Sequence, residues 1–255
     1  METIHTVAWM KQVAAEARRN DRVLGFVPTM GALHEGHLSL VRAAQKQCSP
    51  VAVSIFVNPK QFGPSEDLQK YPRTFEADRA ALEAMGVDYV FAPPPEEMYP
   101  AGFRTFVDVE GLSERLEGRT RPGHFRGVAT VVLKLFEIVQ PRFSFFGRKD
   151  AQQVRILQQM TADLNLSTEI VVCPIVREAD GLAMSSRNAY LKEGDRRAAT
   201  AISRSLEAVR REVSRGERDA VRLLAELRRV LDAEPGVAPD YAEIVDADTF
   251  EPVRS

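Results

Sequence analysis

The chain has 255 residues, of which 44% are hydrophobic and 27% charged, which is ample for a packed core and excludes disorder. A formal net charge of −2 gives no electrostatic case for nucleic acid, and no apolar run is long enough to span a bilayer, so neither is an expected partner. The length suits one large domain plus a small one. Lys11, Glu16, Arg18, Arg19 and Asp21 near the start leave no apolar core of signal-peptide length. With only Cys48 and Cys173 there is no disulfide framework or cysteine metal cluster, and a reducing cytoplasm is the expected compartment.

In chain order, the spacing predicts a helix over residues 5–20, a strand over 23–27 and a helix from Glu35 to Gln47. Between the last two lies Pro28-Thr29-Met30-Gly31-Ala32-Leu33-His34-Glu35-Gly36-His37. A helix starting near Glu35 sets His34 and His37 one turn apart on one side, and its free N–H groups and positive dipole end favour an anion, usually phosphate. Three readings of this stretch stand: a phosphate or nucleotide site, a structural turn, or a metal pair, the last without a nearby third ligand.

Residues 51–57 are apolar on both faces, as in a parallel sheet covered by helices. Pro59 ends that strand and leaves Asn58, Lys60 and Gln61 beyond its carboxyl end, where open α/β sheets gather ligands. Thr74 is the expected N-cap of a helix ending at Gly86, followed by a strand over 87–91. An extended stretch over 103–109, a short helix over 110–117 and a basic, turn-rich run over 119–127 lead into an apolar helix over 128–139. A buried strand over 143–146, the turn Gly147-Arg148-Lys149-Asp150, a helix over 151–163 and a strand over 169–176 complete a β-α-β series. That alternation predicts a doubly wound parallel sheet.

After Val176 the chain turns polar, and 177–188 is an expected loop. Two amphipathic helices over 193–214 and 217–232 carry interleaved arginines and glutamates, a solvated face, and 241–245 alternates like a half-exposed strand. The expected division is therefore 1–176 and 177–255.

A lysine in the turn over 147–150 can reach a phosphate, and Met184-Ser185-Ser186-Arg187 offers hydroxyls and a guanidinium. Each is weak alone; in order after strands of one parallel sheet, the three stretches make one positively lined crevice. His34-Glu35-Gly36-His37 resembles the signature of the nucleotidyl-transferring α/β superfamily. With Ser54-Ile55-Phe56-Val57-Asn58-Pro59-Lys60-Gln61-Phe62-Gly63, Tyr71-Pro72-Arg73-Thr74, Gly123-His124-Phe125-Arg126-Gly127-Val128, Phe145-Phe146-Gly147-Arg148-Lys149-Asp150-Ala151-Gln152-Gln153 and Met184-Ser185-Ser186-Arg187-Asn188, the chain resembles the pantothenate synthetase family over residues 20–195.

The resemblance implies a Rossmann-like α/β domain, a small C-terminal α+β lid and a homodimer. It also implies Mg²⁺ and ATP-dependent joining of pantoate to β-alanine through pantoyl-adenylate. Met30, Gly31, Ala32, Leu33, His34, Glu35, Gly36, His37, Gly147, Arg148, Lys149, Asp150, Val176, Met184, Ser185, Ser186 and Arg187 match the family's ATP-binding positions. His37 matches its catalytic histidine, with His34 and Lys149 beside it; Gln61 matches the position for pantoate and β-alanine, and Gln153 that for pantoate. Asp78 or Asp150 would orient the metal, and His124 either lines the acid pocket or caps the following helix. An adenylyltransferase of the same superfamily acting on another small substrate is the alternative. Two departures stand out: Arg148 replaces the family's usual Glu, and the chain ends at Ser255, before the usual final strand, implying a reduced lid or a shortened chain.

Overall fold

Strands β1 (Glu2–Ile4), β2 (Gly25–Thr29), β3 (Val51–Ile55), β4 (Tyr89–Phe91), β5 (Phe143–Gly147) and β6 (Glu169–Cys173) form one all-parallel sheet in the order β1-β4-β3-β2-β5-β6. These positions come from a computed structural model that describes residues 1–64 and 66–253; Arg254 and Ser255, the end of the expected second domain, lie outside them. β2, β3 and β5 bury nearly every residue, because helices cover both faces of a parallel sheet. Helices α1 (Val7–Arg19), α2 (Glu35–Gln45), α3 (Phe75–Ala84), the short α4 (Pro95–Met98) and α5 (Glu117–Thr120), α6 (His124–Val139) and α7 (Ala151–Asp163) supply those layers. Val27, Val53, Val90 and Phe145 from the strands pack with Leu40, Val41 and Ala44 of α2 and Leu82 of α3 in one core.

The chain divides into two compact units, Met1–Ile175 and Val176–Ser255. In the first, β2 is the pivot: β3 lies on one side and β5 on the other, so the winding reverses between β2 and β5. In open α/β sheets ligands gather at that reversal, beyond the carboxyl ends of the strands.

The structure corrects several expectations. β1 had no signal of its own, since three residues cannot show a period; it pairs in register with Tyr89, Val90 and Phe91. The stretch over 103–109 joins no ladder, and 110–117 contains only a 3₁₀ turn (Leu112–Glu114) before α5. The helix expected from residue 128 starts at His124, because Gly123 at φ 82° ends the preceding turn and acts as N-cap. Gly127 is then required for packing: a Cβ there would lie 2.2 Å from the Lys60 carbonyl oxygen.

In the second unit the helix expected over 193–214 is interrupted at Thr200, giving α8 (Glu193–Ala199) and α9 (Ala201–Ser214). The Thr200 hydroxyl donates to the Arg197 carbonyl at 2.7 Å, a back-bond that competes with the helical ladder. α9 pairs with α10 (Ala220–Asp232) around Ala201, Leu227 and Leu231. Arg210–Glu207, Arg215–Glu212 and Arg229–Glu226 are exposed i,i+3 pairs. The strand expected over 241–245 reduces to one antiparallel bridge, Val245 with Pro252, because no strand among the described residues runs beside it.

Candidate active site

β2 delivers the chain into a turn whose shape is imposed from outside. Thr29 Oγ1 donates to the Ser54 carbonyl at 2.6 Å and accepts from the Gly31 N–H at 3.1 Å. Gly31 then sits at φ +82° and Ala32 at φ +50°, so two successive residues occupy the left-handed region. A Cβ on Gly31 would lie 3.0 Å from both Asp78 Oδ2 and Ile55 Cγ2. Asp78, buried on the first turn of α3, accepts from the Ala32 N–H at 2.9 Å, the Leu33 N–H at 2.8 Å and the Thr74 hydroxyl at 3.2 Å. Thr74 is the N-cap residue of α3, yet its hydroxyl serves Asp78 rather than a backbone N–H. Both carboxylate oxygens of Asp78 thus hold the turn after β2 in place.

His34 is the N-cap of α2 and His37 its third residue, and the two close a reciprocal cap. The Gly36 N–H donates to His34 Nδ1 at 3.1 Å, and the His34 N–H donates to His37 Nδ1 at 3.4 Å. A backbone N–H can only donate, so each Nδ1 accepts and each neutral ring carries its proton on Nε2. The rings lie 4.1 Å apart, centroid to centroid, at 39°. The expected free N–H groups are partly used: Gly36 bonds the His34 ring and His37 bonds the His34 carbonyl at 2.8 Å. The imidazole Nε2–H groups are thereby left as donors at this helix start, beside its positive dipole end. Glu35 turns to Arg42, with which it forms an exposed ion pair.

Burial first, then His34, then the Lys149 ammonium hold the His37 pKa down to about 3, so its ring is neutral at every physiological pH. The unfolded ring takes up a proton near 6.5 and the folded ring only near 3, so stability falls as pH drops through that interval. The slope from this group approaches about 1.4 kcal/mol per pH unit. Urea melts at pH 6.5 and 4.5 should show a shallower loss for His37→Gln than for the unaltered chain; equal slopes would refute the buried neutral ring.

Lys149 comes from the 3₁₀ turn Arg148–Asp150 that follows β5, the strand beside β2. Its Nζ is 3.3 Å from Asp150 Oδ1, both side chains being partly exposed. Gly147 precedes it and the exposed Arg148 flanks it. β2 and β5 are neighbouring strands, so the residues that follow them both leave the sheet at its reversal point.

Gln61 ends the 3₁₀ turn Pro59–Gln61 that follows β3. Its Nε2 lies 3.3 Å from Met30 Sδ and its Oε1 accepts from Asn58 Nδ2 at 3.0 Å. His124 neither simply caps nor stands apart: its Nδ1 donates to the Gln61 carbonyl at 2.8 Å, and burial keeps its ring neutral by lowering its pKa. Gln153 is half-buried near the start of α7 and makes no bond to this group. Its neighbour Gln152 is the buried one, accepting from the Glu117 N–H and donating to the Leu112 and Arg115 carbonyls at 2.9 and 2.8 Å. Sequence reasoning passed over Gln152 and Tyr99, whose hydroxyl lies 2.7 Å from Asn58 Oδ1; their partners are distant in the chain and leave no local signal.

In the second unit the expected loop is a closed hairpin. Met184 N–H donates to the Val176 carbonyl at 3.0 Å and Glu178 N–H to Leu182 at 2.8 Å. Asn188 bonds Glu178 and Ala183, while Arg196 pairs with Glu178 and Asp180. Ser185 caps the 3₁₀ turn Ser186–Tyr190, accepting from the Arg187 N–H at 3.3 Å. Val176 and Met184 are therefore adjacent across a backbone bond, and Ser186 and Arg187 open the turn that follows.

A family model described as pantoate–beta-alanine ligase matches residues 2–255. Pantothenate synthetase of Acidobacterium capsulatum is 61% identical over 92% of this chain and 78% of its own length. That of Thermotoga neapolitana is 54% identical, with 100% of this chain and 91% of the relative covered. Among solved structures, pantothenate synthetase of Thermus thermophilus superposes with a TM-score of 0.94 at 47% identity, covering 100% of this chain and 90% of that one. Pantoate–beta-alanine ligase of Francisella tularensis, complexed with beta-gamma ATP and beta-alanine, gives 0.77 at 36% identity over 90% and 86%. With its sequence matched from end to end and its parallel sheet shared with these enzymes, the chain belongs to the pantoate–beta-alanine ligase family.

Proposed function

We propose that this chain condenses pantoate with β-alanine in two steps at the β2–β5 reversal. In the first, a pantoate carboxylate oxygen attacks the α-phosphorus of ATP, the bond to the β-phosphate oxygen breaks, and pyrophosphate leaves. In the second, the β-alanine amine attacks the acyl carbon, the bond to AMP breaks, an amide forms, and the amine's proton passes to solvent. Pantoate is already ionised at neutral pH, since carboxyl pKa values lie near 4. The site therefore needs no base for the first step; it needs alignment and donors toward phosphoryl oxygens that gain charge. The observation that carries this reading is the pair of imidazoles 4.1 Å apart, each accepting a backbone N–H at Nδ1 so that Nε2 is left as the donor, with His37 held neutral by burial, His34 and the Lys149 ammonium.

His37, His34 and Lys149 are the catalytic group, and residues 30–37 and 147–150 cradle ATP. Val176, Met184, Ser185, Ser186 and Arg187 are ATP-binding residues of the second unit, which serves as a lid. Gln61 takes pantoate and β-alanine, and Gln153 takes pantoate. Mg²⁺ would enter with the triphosphate: no group of three acidic, histidine or cysteine side chains suited to a metal occurs among the described residues, and Mg²⁺ on nucleotides usually keeps waters and needs one or two carboxylates. Asp150, exposed beside Lys149, suits that role better than Asp78, whose oxygens already hold the turn. When bound, the ion supplies charge neutralisation on the phosphates. The family resemblance also makes the working form a cytoplasmic homodimer; no helix among the described residues is long and apolar enough to cross a membrane.

Exchange of labelled pyrophosphate into ATP tests the two-step order. It should require pantoate and Mg²⁺ and proceed without β-alanine. Exchange that appears only once β-alanine is added would overturn it.

A further inference from the structure

Asn58 is almost fully buried, at 1% exposure, and all four positions of its amide are used. The Lys60 N–H, which can only donate, is 3.2 Å from Oδ1; the Gly127 carbonyl, which can only accept, is 3.1 Å from Nδ2. These two obligate partners fix which end of the amide is which. The rest follows by elimination. The Tyr99 hydroxyl, 2.7 Å from Oδ1, must donate to it. The remaining hydrogen on Nδ2 points at Gln61, 3.0 Å away, so the Gln61 atom there must be Oε1.

Gln61 therefore has its carbonyl oxygen occupied and its Nε2 turned to Met30 Sδ, a weak acceptor that a ligand oxygen readily displaces. Its backbone is fixed as well. His124 holds its carbonyl, and α6 seats so closely on the 3₁₀ turn Pro59–Gln61 that Gly127 admits no Cβ. Tyr99, just past α4, is held in turn by edge contact with Phe103 at 5.0 Å and by Phe56 at 6.1 Å.

We propose that Tyr99 and Asn58 are positioning residues for the acid substrate: a one-way relay of donors from Tyr99 through Asn58 that makes Gln61 present N–H, never C=O, to an acceptor oxygen. The inference rests on the assignment of Gln61 to pantoate given above. Burial raises the Tyr99 pKa, so its hydroxyl keeps the proton the relay needs.

The test is a double-mutant cycle on steady-state constants, with thermal melts to check folding. Gln61→Ala should raise the KM for pantoate by roughly ten- to a hundredfold, and Tyr99→Phe by about three- to tenfold, as expected for one buried hydrogen bond. The KM for ATP should move by less than about twofold in Tyr99→Phe. The double variant should be no worse for pantoate than Gln61→Ala alone, because the relay acts only through Gln61; a merely structural tyrosine would add its full factor again. Asn58→Asp, which puts an acceptor opposite Gln61 Oε1, should exceed Tyr99→Phe in its effect on pantoate. Normal pantoate KM in Tyr99→Phe, or full additivity in the double variant, overturns the relay while leaving Gln61 in place. Normal pantoate KM in Gln61→Ala overturns the assignment of Gln61 itself, and the relay with it.

Discussion

Replacing His37 by Ala should slow formation of the pantoyl-adenylate by roughly a hundred- to a thousandfold, the loss expected when one preorganised donor to developing phosphoryl charge is removed. The fold should survive. The ring gives up the 3.4 Å bond from the His34 N–H and its 4.1 Å contact with the His34 ring, while His34 still caps Gly36 at 3.1 Å. Because burial and the neighbouring Lys149 keep the ring neutral down to about pH 3, it acts as a donor and not as an acid that must be charged. Accordingly, the rate of adenylation should show no inflection near pH 6.5 from this residue. Single-turnover quench of ATP and pantoate over pH 5 to 8 measures both points. Near-normal turnover in the folded variant would remove His37 from the chemistry, and a limb near 6.5 that the variant abolishes would show that the ring works charged.

How far the sequence alone reaches depends on whether a signal is local. The runs over 51–57 and 143–146 are apolar without alternation, and that suffices to mark buried strands of a parallel sheet. The helix over 151–163 emerges with its bounds intact, because Asp150 and a clean apolar stripe delimit it. His34 and His37 could be set on one side of a helix start from their spacing, since both belong to a single turn. Their tautomers could not. These depend on Nδ1 accepting backbone N–H groups, which turns the anticipated set of free helix-terminal donors into a cap and hands the donor role to the rings. Strand β1 is too short for periodicity and exists only because Tyr89, Val90 and Phe91 offer an edge. Conversely, 241–245 has the alternation and lacks the edge.

Partners far apart in the chain were invisible for the same reason. Gln61 stood out beyond a strand end, but nothing nearby announces that Asn58 is fixed by Gly127, 69 positions on, or by Tyr99, 41 positions on. Gln152 and Gln153 are adjacent and chemically identical, yet one is spent inside the protein and the other is half-buried. The phase of α7 decides between them.

Asp78 is a further case, a carboxylate 46 residues from the backbone it holds, and its removal should be the most damaging to stability. Asp78→Ala should lower unfolding free energy by about 3–6 kcal/mol, since hydrogen bonds to a charged acceptor contribute about 1.5–3 kcal/mol each and two backbone N–H groups lose theirs. The turn cannot hold itself: Gly31 and Ala32 both sit at positive φ, and for Ala32 that conformation is unfavourable without an external tie. Asp78→Asn should fall between, because an amide offers one acceptor oxygen and would set its NH₂ against a backbone N–H. Catalysis should suffer through ATP, as the released turn carries residues 30–37; the KM for ATP should rise more than that for pantoate. Urea melts and paired KM measurements decide the matter. Had Asp78 served the metal instead, Asp78→Ala would keep its stability to within about 0.5 kcal/mol, the range of an indifferent substitution, and shift only the Mg²⁺ requirement.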